Sequence, residues 1–138
     1  MKYFLDTSFI MALVLNSDSN HQNALKLAYV LSEDCYINNN VLNEILTLTG
    51  RKLNIDAARE IYYGLIDTFT LLNEYDITNY NNKNFEIFEE FVGKNTNKAK
   101  LSFTDSSIVL TMKEYGISRL VSFDDEFKRI DDINLIEE

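Results

Sequence analysis

Four acidic residues, Asp6, Glu44, Asp105 and Asp124, stand where strand ends and apolar helix faces can gather them. Glu44 is the most informative. It falls three residues after Val41 and four before Leu48, within the apolar stripe of an expected helix. No capping role is available there, and the segment places no basic residue on that stripe. A glutamate on a core-facing stripe is costly unless it is paired or coordinates a metal. The other three acids each have a local alternative. Asp6 directly follows the apolar run Lys2 to Leu5 and can cap the next helix; Ser102-Phe103-Thr104-Asp105 fits a capping box; Asp124 can cap the turn that follows it, unless Asp125 does. Yet Asp105 lies three and four residues before Ile108 and Val109, at the edge of a buried stripe rather than on a solvated face.

Clustered carboxylates repel one another and persist as anions only when cations neutralise them. An all-oxygen donor set selects hard ions such as Mg2+ or Mn2+, and the chemistry such a set supports is phosphoryl transfer.

The elements that must position these acids follow from apolar periodicity and caps. Lys2 to Leu5, Cys35 to Ile37, Phe69 to Leu72, Arg119 to Phe123 and Ile133 to Ile136 read as short strands. Helices are predicted over Ser8 to Leu15, capped by Asp6 or Thr7; from a Ser19 and Gln22 capping box to about Leu31; from an Asn40 cap to Gly50; from Asp56 with a stripe of Ala58, Ile61, Tyr62 and Leu65; over Tyr80 to Val92; and over Ser102 to Tyr115. A short helical turn is expected over Asp124 to Ile130. Strands alternating with helices, without a tight hairpin signal, favour a mainly parallel sheet in a three-layer α/β/α fold. In open sheets of that type ligands gather at the carboxyl ends of strands, where Asp6 and Asp124 fall.

At 138 residues and 46% hydrophobic, the chain suffices for one buried core, so a single domain over residues 1–138 is expected. A net charge of -9 argues against a passive nucleic-acid binder with a broad basic face. It leaves a nuclease open, because bound divalent cations reverse the local electrostatics. The amino-terminal apolar run is interrupted by Asp6 and lacks the length of a signal core or a membrane span, so no membrane association and a cytoplasmic location are expected. Cys35, the lone cysteine, reads as a core thiol, and His21 as an exposed residue at a helix start. The tyrosines and phenylalanines recur mostly at helical spacing and read as core, with base stacking as the lesser alternative. Lys94, Lys98 and Lys100 form a basic cluster, and Arg51 and Lys52 sit at the end of the glutamate helix; either group could meet RNA phosphates, with Lys98 and Lys100 the named candidates, and the alternative is solvated lysines and a favourable cation at a helix C-terminus.

Phe4-Leu5-Asp6-Thr7-Ser8, Asn43-Glu44-Ile45, Leu101-Ser102-Phe103-Thr104-Asp105-Ser106 and Val121-Ser122-Phe123-Asp124-Asp125-Glu126-Phe127, in this order, resemble the motifs of the PIN-domain family. The resemblance spans essentially the whole chain and is closest to small toxins of VapC type, which cleave RNA and are held inactive by an antitoxin. It implies that Asp6, Glu44, Asp105 and Asp124 are both catalytic and metal-binding, with Mg2+ or Mn2+ as cofactor. Thr7 or Ser8 would orient a carboxylate or the attacking water. It further implies an RNA substrate, an antitoxin partner and a homodimer. The family often has threonine where this chain has Ser122, which keeps the hydroxyl.

Rival phosphate enzymes fit less well. A haloacid-dehalogenase-like phosphatase needs an Asp at position 8, which is Ser8, and Gly50-Arg51-Lys52 is not a Walker loop. The remaining alternatives are a non-catalytic PIN-fold scaffold or RNA-binding module, which the intact acids disfavour, and a housekeeping RNA-processing nuclease.

Overall fold

The computed structural model describes residues 1–93 and 100–138. Strands β1 (Lys2–Leu5), β2 (Asp34–Asn38), β3 (Thr70–Leu72), β4 (Arg119–Val121) and β5 (Asn134–Ile136) form one five-stranded sheet in the order β3-β2-β1-β4-β5, every pairing parallel. Residues Tyr3, Phe4 and Leu5 of β1 are buried in succession, as expected for a central parallel strand covered on both faces.

Helices α1 (Thr7–Val14) and α2 (His21–Lys26) connect β1 to β2, and α3 (Asn39–Lys52) and α4 (Ile55–Thr68) connect β2 to β3. The chain then returns through α5 (Tyr80–Phe88) and α6 (Phe103–Tyr115) to β4, on the other side of β1. Because parallel crossovers are right-handed as a rule, the connections stepping outward to β2 and β3 and the one returning past β1 to β4 lay their helices on opposite faces of the sheet. The result is the expected three-layer α/β/α fold. Its order reverses between β1 and β4, so a crevice opens at their carboxyl ends. The core beneath that crevice is built from Phe4, Leu5, Phe9, Ile37, Ile45, Ile108, Met112, Leu120 and Phe127, all fully buried. Among the described residues no helix is long and apolar enough to cross a membrane.

Several boundaries differ from the sequence reading, each for a local reason. The Ser19 capping box does not form. Asn20 holds the cap position of α2 without a side-chain bond, and the helix tightens after Lys26 into a 3-10 segment, Ala28–Ser32. The buried residues Ala24, Leu27 and Val30 recur every three positions, the period of a 3-10 helix rather than of an α-helix. Asn38, not Asn40, caps α3 by accepting from Val41 N at 3.0 Å. Helix α4 opens at Ile55 rather than Asp56, capped by Asn54, which accepts from Ala57 N at 2.8 Å. Beyond Phe88, α5 widens into a π turn, Glu89–Gly93. Gly116, at φ 69°, ends α6 in the left-handed conformation that glycine adopts without a Cβ penalty.

Gly50 does not end its helix: α3 runs through it to Lys52. Glycine in a helix interior costs about 1 kcal/mol relative to alanine. The packing of Val41, Leu42, Ile45 and Thr49, all buried on one face, offsets it.

Candidate active site at the carboxyl ends of β1 and β4

Asp6 is the first residue after β1, and its backbone N–H donates to the Val121 carbonyl of the neighbouring strand at 3.0 Å. The parallel register pairs Leu5 with Val121, so the next residue on each strand, Asp6 and Ser122, emerge side by side. The Ser122 hydroxyl donates to Asp6 Oδ2 at 2.6 Å, and the Ser8 hydroxyl donates to the same oxygen at 3.0 Å. Asp6 Oδ1 accepts from Thr7 N at 2.8 Å, so the residue does cap α1. Its carboxylate is almost wholly buried and fixed by three donors. The Ser8 Oγ also accepts from Phe123 N at 3.0 Å, and the Ser122 Oγ from Asp124 N at 3.0 Å, which ties both hydroxyls to the loop after β4.

Glu44, half-buried on α3, accepts from the Thr7 hydroxyl at 2.9 Å through Oε1. Asp105 closes the expected capping box on α6: its Oδ2 accepts from Ser102 N at 3.1 Å while Ser102 Oγ accepts from Asp105 N at 3.0 Å. Asp124 accepts from Glu126 N at 3.0 Å. Asp125 is exposed and pairs with Lys128 at 3.1 Å, which leaves Asp124 as the acid facing the crevice. Thus Asp6, Glu44, Asp105 and Asp124 all line one open cleft of about 390 Å³, together with Thr7, Ser8, Met11, Asp18, Leu48, Lys52 and Ser102.

Among the described residues none of the four makes an ion pair with Lys or Arg, and Glu44 Oε2, Asp105 Oδ1 and Asp124 Oδ2 accept no hydrogen bond. The electrostatic consequence falls on Asp6, Glu44 and Asp105. Burial pushes Asp6 above the usual carboxylate range, against the Ser122, Ser8 and Thr7 donors, and the Glu44 charge adds to the rise. Burial likewise raises Glu44, opposed by the Thr7 hydroxyl and reinforced by Asp105. Asp105 is pushed up to about 6, chiefly by burial and further by Asp6 and Asp124. These are mutually repelling acids, none of them ion-paired among the described residues.

Among the described residues, no group of three or more His, Cys, Asp or Glu side chains is already drawn together as a metal cage. The donor set nonetheless suits a hard cation. It consists of oxygens only, several unclaimed, and Mg2+ commonly keeps several waters while taking one or two carboxylates directly. The residues therefore fit a divalent ion bound in an open, water-rich manner.

Of the basic residues singled out in the sequence, Lys52 is the one that reaches the cleft. Expected at the end of the glutamate helix as a possible phosphate contact, Lys52 lies in the last turn of α3, eight residues after Glu44, and lines the cleft. Lys100 is exposed two residues before the cleft-lining Ser102, whereas Lys94 and Lys98 lie outside the described residues. His21 is half-buried rather than exposed, its Nδ1–H donating to the Ala12 carbonyl at 2.6 Å, which joins α2 to α1. Cys35 is buried with its thiol on the Val30 carbonyl at 3.1 Å, and burial pushes its pKa up to about 11, as a core thiol requires.

Sequence reasoning missed Glu74. This fully buried acid sits in a short 3-10 segment, Glu74–Asp76, and accepts from Asn39 N and Asn40 N at 2.9 Å each. It thereby satisfies the first amides of α3 and anchors the helix that carries Glu44. Only its acidic type, within the polar run Asn73-Glu74-Tyr75-Asp76, hinted at such a role.

Comparison with known proteins agrees with this architecture. The model of the PIN domain matches residues 3–133. Ribonuclease VapC2 of Methanocaldococcus jannaschii is 33% identical over 110 residues, covering 74% of this chain and 71% of that protein. VapC20 of Mycobacterium tuberculosis, described as a sarcin-ricin loop cleaving toxin, has the same fold at a TM-score of 0.74 and 23% identity, with 94% of this chain and 95% of that one covered. A chain of the DNA-bound VapBC from Salmonella typhimurium does so at a TM-score of 0.71 and 21% identity, covering 99% and 97%. With its acids gathered at the β1/β4 switch point and a match over nearly its full length, the chain belongs to the PIN domain family.

Proposed function

We propose that this protein is an Mg2+- or Mn2+-dependent endoribonuclease that hydrolyses RNA phosphodiester bonds, and that it is the toxin of a toxin-antitoxin pair. The observation that carries the reading is the convergence of Asp6, Glu44, Asp105 and Asp124 on one cleft, with no basic partner among the described residues. Holding several acids close together without neutralisation opposes folding, so a chain that keeps them gains their chemistry in return.

The side chains divide the work. Thr7 N, Ser8 and Ser122 lock the orientation of Asp6, and the Thr7 hydroxyl sets Glu44 opposite it. The Ser102 and Glu126 amides do the same for Asp105 and Asp124. A bound divalent ion would polarise the scissile phosphate and lower the pKa of an attacking water. Lys52 at the cleft wall and Lys100 near its rim are placed to meet neighbouring phosphates of the strand.

The antitoxin partner is supported by the relatives, several of which were solved as VapBC or toxin-antitoxin complexes. An apolar groove of about 270 Å³ lined by Ile10, Leu13, Val14, Leu31, Ile61 and Leu65 offers such a partner a docking surface. Expression without the partner is expected to arrest growth, and expression of Asp6→Asn is not. Harmless expression of an enzyme that cleaves RNA in vitro would point instead to a housekeeping nuclease.

A further inference from the structure

The acid cleft does not end at Glu44. Asn40, Asn43, Glu44, Thr47 and Leu48 recur at three- and four-residue intervals along one face of α3, and with Thr104 of α6 they line a side groove of about 310 Å³. Glu44 and Leu48 line both spaces, so groove and cleft are continuous.

The polar groups in the groove are of two kinds. The Asn40 amide is committed: Nδ2 donates to the Tyr80 hydroxyl at 3.0 Å and the Ser107 hydroxyl at 3.1 Å, and Oδ1 accepts from the Tyr75 hydroxyl at 3.3 Å. Asn43 and Thr47 are exposed, and among the described residues neither side chain has a hydrogen-bond partner. The same holds for the Thr104 hydroxyl, whose backbone carbonyl takes the Ser107 hydroxyl at 2.6 Å. The groove thus offers one amide with both donor and acceptor, two hydroxyls and the apolar wall of Leu48, with Glu44 at its junction as the only charge among the described residues.

With no Lys or Arg in its lining and the Glu44 carboxylate at its junction, that surface disfavours a phosphate and suits a flat, neutral group with hydrogen bonds along its edge. From this we infer that the groove is the base-binding subsite for the nucleotide beside the cleaved bond, with Asn43 reading the base edge and Thr47 and Thr104 flanking it. An asparagine amide pairs with a base edge through two bonds, and such an edge is available only when the base is splayed out of a single strand. Reading an edge in this way needs an unpaired base, and the inference assigns the groove a base preference at one position beside the cleaved bond. It rests on the ribonuclease reading above.

The test is equilibrium binding of fluorescent single-stranded RNA pentamers, identical except for one base, to the full chain, with cleavage by the same proteins measured alongside. The wild type is expected to discriminate among bases at one position roughly tenfold or more, and Asn43→Ala and Thr47→Val to flatten that preference. Both substituted positions face solvent, so the fold is retained. A matching duplex is expected to bind without base preference. An identical base profile in wild type and both variants, or no discrimination by the wild type at any position, would overturn the subsite whether or not cleavage occurs. Base-selective binding lost in Asn43→Ala, without cleavage by any of the proteins, would retain the subsite and reject the ribonuclease reading.

Discussion

Ser122 and Asp6 lie 116 residues apart in sequence, yet the Ser122 hydroxyl donates to Asp6 Oδ2 at 2.6 Å. The contact exists because β1 and β4 run side by side in register and both end at the same level. It fixes the carboxylate on which the proposed chemistry centres.

Removing that hydroxyl leaves Asp6 Oδ2 with Ser8 as its remaining donor. Ser122→Ala is expected to lower RNA cleavage on the order of 10- to 100-fold, the usual effect of losing a group that orients a ligand side chain. Ser122→Thr, which keeps the hydroxyl, is expected to retain most of the activity. Cleavage rates at saturating divalent ion check this; equal losses in both variants would show that packing, not the hydrogen bond, matters there.

Asp105 predicts a pH dependence of stability. Its folded pKa of about 6 lies above its ordinary value of 3.8, so between these values the native state holds more proton than the unfolded chain. The associated stability is therefore present below about pH 4 and lost as pH rises through 6. Asp6 and Glu44, also raised, act in the same direction. In EDTA, Asp105→Asn is expected to lose less stability than the wild type across this window, by on the order of 1 kcal/mol after solvent screening. Thermal melts at a series of pH values measure the difference, and parallel curves would contradict it.

Glu74 predicts a structural effect at a distance from the cleft. Glu74→Ala strands two backbone amides at the start of α3 and is expected to cost about 2–4 kcal/mol in urea unfolding. Glu74→Gln keeps one acceptor and is expected to cost less. The milder variant is expected to reduce cleavage as well, because the same helix carries Glu44. Unchanged stability in Glu74→Ala would remove the anchoring role.

The sheet and its helices were legible in the sequence because short apolar strands alternate with helical periodicity, and the acids were legible because they interrupt that pattern. Glu44 stood out through its place among Val41, Ile45 and Leu48, and the structure indeed leaves it half-buried at the edge of that face. What the sequence concealed depends on tertiary context. The 3-10 segment after α2 follows a three-residue burial period that a helical reading absorbs. Lys52 was named at the helix end, but its place on the cleft wall depends on α3 running through Gly50, a plausible helix end that packing overrides. Glu74 was hidden because its partners are backbone amides some 34 residues away, which no side-chain pattern announces. Asp124 was separated from Asp125 only when the strand end aimed the first at the cleft and left the second on Lys128.

The central claim is that Asp6, Glu44, Asp105 and Asp124 form a divalent-ion ribonuclease site, and cleavage of single-stranded RNA by the purified chain tests it most directly. The wild type is expected to cleave with Mg2+ or Mn2+, to stop in EDTA and to recover when the ion is restored. Asp6→Asn and Asp105→Asn, with folding verified by circular dichroism, are expected to lose activity by 100-fold or more. Cleavage that persists in EDTA, or at wild-type rates in both variants, would contradict the account.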